Sequence, residues 1–304
     1  MTRVAGIDCG TNSIRLLVAD VHPDTGDLIE LDRRMTIVRL GQGVDRTGRL
    51  APEALDRTFA ACRAYAGVIK ELGAERIRFV ATSASRDAEN REEFVNGVVE
   101  ILGVEPEVIT GDQEAAFSFT GATGELHGDD RRLVVDIGGG STEFVVGNAH
   151  VEAARSVDIG CVRLTERHVR HDPPTAEEVA AIRADVRAAL DLAAETVPID
   201  TARTLVGLAG SVTTVAAIAL GLREYDSEKI HHARISAAQV AEVTERLLTS
   251  THEERAAIPV IHPGRVDVIV AGALVLREVV ERVGAAEVVV SEHDILDGIA
   301  LSVA

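Results

Sequence analysis

Apolar residues come in short blocks at the start of the chain. Val4 to Asp8 runs into the polar stretch "DCGTNS", "IRLLVADV" resumes the apolar pattern, and "LIELDRRMTIVRL" covers 28–40. Blocks of this length, rich in Val, Ile and Leu and broken by turn residues, predict a β-meander with a polar tip at its first turn. Leu55, Phe59, Cys62, Ala66 and Ile69 then recur at spacings of four and three, which predicts an amphipathic helix over 52–72. A strand at 76–81, a helix at about 91–102 and a strand at 104–109 follow. Such alternation builds an α/β layer.

The pattern then restarts, with strand "RLVVD", loop "IGGGS", strand "TEFVVG" and a further strand near 151–158. "DCGTNSIRLLVAD" from Asp8 and "DIGGGSTEFVVGN" from Asp136 share an Asp, a Gly two residues on and a Ser three after that. The same polar loop met twice on equivalent strand-turn-strand units predicts an internal duplication, with the first domain ending near Thr123. Thr175 with Glu178 forms a capping-box pattern ahead of Val179, Ile182, Val186 and Leu190, and Ser236 with Gln239 forms another. "TLVGL" reads as a strand leading into "AGS" and a helix over 211–221. "RVDVIVAGALVLREVVERVG" reads as one long helix stopped by Gly284, and "AEVVVS" as a last strand before a C-terminal helix.

Composition narrows the partners. Aromatic residues make up 3% of the chain and Trp is absent, so Val, Leu, Ile and Ala must fill the cores, as in sheets covered by helices. A net charge of −18 disfavours nucleic acid and anionic membranes. The start "MTRVAGIDCG" has no leader pattern, and "VIVAGALVL" is too short to span a bilayer, so the expectation is a cytoplasmic, soluble protein. Cys9, Cys62 and Cys161 lack metal-type spacing and read as small buried apolar residues.

The polar loops carry the candidate chemistry. Successive backbone N–H groups in a glycine-rich turn form a concave nest for an anion. Gly10, Thr11, Asn12 and Ser13 would add hydroxyl and amide donors to one nest, while Gly138, Gly139, Gly140, Ser141 and Thr142 would supply a second, mostly from backbone. Glycines that merely allow tight hairpins are the plainer account. Gly210 and Ser211 stand where a helix begins, suiting either an anion or a simple N-cap by Ser211. Asp8, Asp136 and Glu143 would repel a phosphate unless a cation lay between, and hard oxygen ligands suit Mg²⁺. Glu143 could instead face solvent. Arg86 and Arg15 could hold phosphate in two-pronged fashion or serve as surface ion-pair partners. Glu114, in the first turn of a helix after "IT", could deprotonate a water aimed at phosphorus or could simply favour the helix start.

Taken together, "DCGTNSIR", "ATSASRDAEN", "VVDIGGGSTE", "GLAGSVTT", "RVDVIVAGALVLREVV" and "VSEHDILDGIAL" resemble, in order, the signatures of the exopolyphosphatase and guanosine pentaphosphate phosphohydrolase (Ppx/GppA) family, within the actin-like superfamily. The resemblance implies two actin-like, ribonuclease H-like α/β domains with a cleft between them, over 1–123 and 124–304. A C-terminal helix near 294–304 would pack back on the first domain. It implies Mg²⁺-dependent hydrolysis of a terminal phosphate from polyphosphate or guanosine pentaphosphate, and a homodimer.

The family's catalytic glutamate falls on Glu114, its loop arginine on Arg86, and its phosphate-binding and metal-associated positions on Asp136, Gly138 and Glu143. The chain departs from the family pattern at Gln113, where a Glu is usual, and at Ala116, which commonly is Arg. It is similar to the short members that lack a further helical region. The expectation is a short-chain exopolyphosphatase in which Glu114 activates water. The alternatives are a guanosine pentaphosphate phosphohydrolase, a non-catalytic guanosine tetraphosphate sensor and, on fold grounds alone, a sugar or acid kinase.

Overall fold

The computed structural model describes residues 1–22, 24–124, 126 and 130–303. The chain divides into two compact units, one formed by Met1–Gly124 with Asp294–Ala304 and the other by Glu125–His293.

The first unit contains β1 (Thr2–Cys9), β2 (Ser13–Val21), β3 (Leu28–Ile37), α1 (Val44–Thr47), α2 (Pro52–Leu72), β4 (Arg76–Ala81), α3 (Ser83–Asp87), α4 (Arg91–Leu102), β5 (Glu107–Val108) and α5 (Gly111–Thr123). Its sheet runs β3-β2-β1-β4-β5, antiparallel through the meander and parallel from β1 to β4 and β4 to β5. Alternation along β1 and β2 sorts the side chains between two faces. Ala5, Ile7, Cys9, Ile14 and Leu16 pack on one face with Leu55, Cys62 and Ile69 of α2 and Phe94 and Val98 of α4. On the other, Val4, Leu17 and Ala19 meet Leu296 and Ala300 of the C-terminal helix. The 104–109 strand is shorter than expected, only Glu107–Val108, because Pro106 has no N–H for a ladder. The third strand stops at Ile37 because the next two backbone N–H groups, of Val38 and Arg39, donate to the Asn12 carbonyl instead.

The second unit contains β6 (Arg132–Ile137), β7 (Thr142–Gly147), β8 (Val151–Val157), α6 (Cys161–His168), α7 (Ala176–Ala194), β9 (Thr204–Leu208), α8 (Ala209–Ala219), α9 (Ser227–Ile230), β10 (Arg234–Ser236), α10 (Ala237–Thr249), α11 (His252–Ala256), α12 (Ile269–Val283) and β11 (Glu287–Val290). The chain then returns to the first unit as α13 (Ile295–Leu301). The sheet order is β10-β11-β9-β6-β7-β8. Leu133, Val135, Phe144 and Val146 share a core with Ile182, Val186 and Leu190 of α7 and Leu274 of α12. The expected capping boxes at Thr175 with Glu178 and Ser236 with Gln239 are both formed. The expected long helix is formed and stops at Gly284 as predicted, but it starts at Ile269 and not at Arg265, which belongs to a separate 3₁₀ turn over Pro263–Arg265.

Both units open with an antiparallel meander whose first strand pairs in parallel with the strand after the first long helix. The duplication reaches the turns. Gly10 N–H donates to the Ser13 carbonyl at 2.9 Å, and Gly138 N–H to the Ser141 carbonyl at 3.1 Å. The chain is thus an α/β protein of two related units. Among the described residues, no helix is long and apolar enough to cross a membrane.

Candidate active site

In the first unit the β1–β2 turn is tied down by its backbone. Gly41 N–H donates to the Thr11 carbonyl, and Val38 and Arg39 N–H donate to the Asn12 carbonyl. Arg39 takes a left-handed φ of 51° to do so, a conformation that costs a non-glycine residue energy. The side chains are not tied down. Thr11 Oγ1 and both amide atoms of Asn12 are buried without a hydrogen-bond partner. Left unmet, each such group costs about 1–3 kcal/mol, so several at one turn could take up water or a polar ligand.

Asp8 and Arg15 are direct cross-strand partners just below this turn. Arg15 Nε and Nη2 donate to Asp8 Oδ2 at 3.0 and 2.7 Å, and Arg15 Nη1 donates to Asp294 Oδ2. Burial pushes the Asp8 carboxyl up despite Arg15 beside it. Burial acts the same way on Asp294, but there Arg15 outweighs it and the carboxyl is held below its ordinary value.

Arg86 lies in the short helix α3, not in an open loop. Its Nη1 donates to the Ile109 carbonyl at 2.9 Å and to Glu114 Oε2 at 3.1 Å. The capping box at the start of α5 is made by Thr110 and Gln113, so Glu114 is not the side chain that caps this helix. Its carboxylate is buried beside a guanidinium. Ser85, next to Arg86, is fully buried with an unpartnered hydroxyl. Sequence reasoning gave it no role, since a lone Ser in "SASR" carries no spacing signal.

In the second unit Asp136 and Glu143 face each other across β6 and β7, at the positions that Asp8 and Arg15 hold in the first. Directly opposed residues project from the same face of a sheet, about 5 Å apart at Cβ. Glu143 is 1% exposed, which removes the solvent-facing reading, and its Oε1 accepts from Ser156 Oγ at 2.7 Å. Gly160 is needed for close backbone approach to the triple-glycine turn. A Cβ on neighbouring Gly160 would lie 2.4 Å from the carbonyl of Gly139, and the Gly139 carbonyl accepts from Val162 and Arg163 N–H. Arg163 Nε donates to the Gly140 carbonyl at 2.7 Å, and Thr142 Oγ1 to the Ile159 carbonyl at 2.7 Å.

Two buried, same-face carboxylates fit Mg²⁺, which commonly takes one or two protein carboxylates and completes its octahedron with water and phosphate oxygen. Among the described residues, no cluster of three or more acidic, His or Cys side chains could hold a metal by itself. Any ion here would therefore depend on such outside oxygens.

Gly210 and Ser211 lie at the start of α8, which follows β9, the parallel neighbour of β6. Ser211 is inside the helix and not its N-cap, a correction to the plainer reading of that residue; the N-cap is Leu208, without a side-chain bond. Ala209 has a left-handed φ of 65°, and a Cβ on Gly210 would fall 1.9 Å from Arg265 Cζ. The guanidinium of Arg265 thus lies against bare backbone, a contact that sequence spacing could not reveal. Cys9, Cys62 and Cys161 are buried free thiols. Burial raises all three, Cys62 to about 12, so none is a poised nucleophile.

Within the first unit, then, Asp8, Gly10, Thr11, Asn12, Ser13 and Arg15 share one hairpin, and Arg86 and Glu114 form a pair. Within the second, Asp136, Gly138, Gly139, Gly140, Ser141, Thr142 and Glu143 share the equivalent hairpin.

Residues 17–304 match the model of the Ppx/GppA phosphatase family. Exopolyphosphatase 2 from Mycobacterium tuberculosis is 52% identical over 100% of this chain and 99% of its own length. Among solved structures, an exopolyphosphatase-like protein is 46% identical with a TM-score of 0.94, covering 99% of this chain and 98% of that one. The Aquifex aeolicus Ppx/GppA enzyme is 33% identical with a TM-score of 0.83, covering 99% of both chains.

Proposed function

This chain belongs to the Ppx/GppA phosphatase family and is a phosphoanhydride hydrolase, and we propose that its reaction is the release of the terminal phosphate of inorganic polyphosphate to water. The observation that carries this reading is the full-length 52% identity with Exopolyphosphatase 2. The buried, unpartnered polar atoms at the β1–β2 turn support an anionic ligand.

In this reading the turn at Gly10, Thr11, Asn12 and Ser13, helped by Arg15, and the turn at Gly138, Gly139, Gly140, Ser141 and Thr142, helped by Gly210 and Ser211, each offer donors to phosphate oxygens. Arg86 faces the terminal phosphoryl group and stabilises the charge that builds on its oxygens. Glu114 accepts a proton from water as the new O–P bond forms, and the bond from phosphorus to the bridging oxygen breaks, with the electron pair leaving on the shortened chain. No covalent enzyme intermediate is required. Bound Mg²⁺ would neutralise phosphate oxygens, and its candidate ligands are Asp136 and Glu143 in the second unit and Asp8 in the first. The net charge of −18 favours short polyphosphates over long polyanions. The reading includes a cytoplasmic homodimer.

The test is phosphate release by the purified protein from polyphosphates of defined length and from guanosine pentaphosphate. A higher kcat/KM on short polyphosphate is expected. A preference for guanosine pentaphosphate would move the assignment to that phosphohydrolase, and binding of guanosine tetraphosphate without any turnover would move it to a sensor.

A further inference from the structure

The buried arginine of the first hairpin has a partner from the far end of the sequence. Arg15 presents its Nε and Nη2 edge to Asp8 Oδ2, and its Nη1 to Asp294 Oδ2. Both carboxylates are buried, at 5% and 3% exposure, and the guanidinium between them keeps one N–H free on each terminal nitrogen. Asp294 is itself fixed. Its Oδ1 accepts from Leu296 N–H at 3.0 Å, its N–H donates to Asp297 Oδ2 at 3.0 Å, and Asp297 is gripped by Arg33 Nη2 at 2.5 Å. The N-terminus of α13 therefore clamps the guanidinium beneath the turn that carries Thr11 and Asn12.

A buried ion pair is a weak contributor to stability but a strong determinant of geometry, since breaking one side leaves the other charge uncompensated. The equivalent hairpin of the second unit is built differently at this position. There the position of Arg15 is taken by Glu143, bonded to Ser156.

We propose that Asp294 is a positioning residue for the reaction: it holds Arg15 against Asp8, so that Arg15 offers the substrate only its remaining N–H groups and Asp8 keeps a fixed direction. This rests on the polyphosphate reading above. Without Asp294 the guanidinium is free to turn fully onto phosphate. Ground-state anion binding then tightens while the placement of Asp8 is lost, so KM and kcat fall together.

The experiment uses the full chain with Asp294→Asn, which keeps an N-cap for α13 but removes the charge, and Asp294→Ala, which removes both. For Asp294→Asn the expected result is kcat on short polyphosphate lowered about ten-fold or more, with KM lowered as well. Equilibrium binding of tripolyphosphate, measured by calorimetry, is expected to tighten about ten-fold, and adding Arg15→Met should abolish that gain.

A purely structural role predicts instead that Asp294→Asn matches the parent in kcat, KM and tripolyphosphate affinity and that only Asp294→Ala loses stability; that result overturns the proposal. If the parent fails to hydrolyse polyphosphate but the Arg15-dependent gain in tripolyphosphate affinity is found, the substrate reading fails and the clamp stands. If the parent binds no tripolyphosphate, both fail.

Discussion

Arg86 Nη1 lies 3.1 Å from Glu114 Oε2 and 2.9 Å from the carbonyl of Ile109, so one cation both fastens the approach to α5 and faces the carboxylate that the helix presents. The two residues are separated by a helix and a strand in sequence, and it is the parallel placement of β4 and β5 that brings their ends together. Arg86→Ala should lower kcat about 10²–10³-fold, as for the loss of one electrostatic donor to the transition state. Arg86→Lys should restore only part, because a compact ammonium lacks the planar fork with which a guanidinium spans a carbonyl, a carboxylate and a phosphate. Steady-state phosphate release checks both.

Asp136 and Glu143 are expected to set the metal requirement. Asp136→Asn and Glu143→Gln should each raise the Mg²⁺ concentration needed for half-maximal activity by about ten-fold or more. A chelator should abolish turnover in the parent. Metal titration of activity is the measurement, and unchanged metal dependence in both variants would remove the two residues from that role.

Gly160→Ala tests the triple-glycine turn without touching a phosphate-facing residue. The added Cβ would meet Gly139 C and O at 2.4 Å and Gly140 N at 2.6 Å, all backbone atoms that cannot rotate away. A loss of about 1–3 kcal/mol in denaturant unfolding is expected, with a larger proportional loss of activity.

Acid stability should report on the start of α7. Glu178 accepts from the His171 ring at 2.9 Å and from the Thr175 and Arg170 backbone N–H at 2.9 and 2.8 Å. These bonds, that to His171 foremost, lower its carboxyl from 4.5 to about 2. A folded value below the unfolded one stabilises the fold above about 4.5, and the contribution is lost as pH falls towards 2. Glu178→Gln should therefore melt at a lower temperature than the parent at pH 7, with the gap closing by about pH 2 in thermal scans followed by circular dichroism.

The repeated Asp-Gly-Ser spacing was legible because a hairpin turn is local: the same three positions dictate the same Gly N–H to Ser carbonyl bond in both units. Apolar periodicity likewise locates α2, and the Thr175/Glu178 and Ser236/Gln239 spacings locate the capping boxes of α7 and α10. What the sequence hid is what depends on contacts between distant segments. "VSEHDILDG" reads as a helix start, and nothing in it says that Asp294 meets Arg15. Arg265 against Gly210 and the left-handed Arg39 and Ala209 are hidden for the same reason. β5 is shorter than its apolar pattern predicts because Pro106 cannot join a ladder, and α8 starts at Ala209, ahead of Ser211, although a Ser before an apolar run resembles a cap.

The most direct test of the account replaces one oxygen by nitrogen. With short polyphosphate, Mg²⁺ and full-length protein, Glu114→Gln should bind substrate as the parent does while kcat falls about 10²–10⁴-fold, the usual contribution of a general base. Turnover close to that of the parent, with the variant folded and saturated, would contradict the assignment of Glu114 as the residue that activates water.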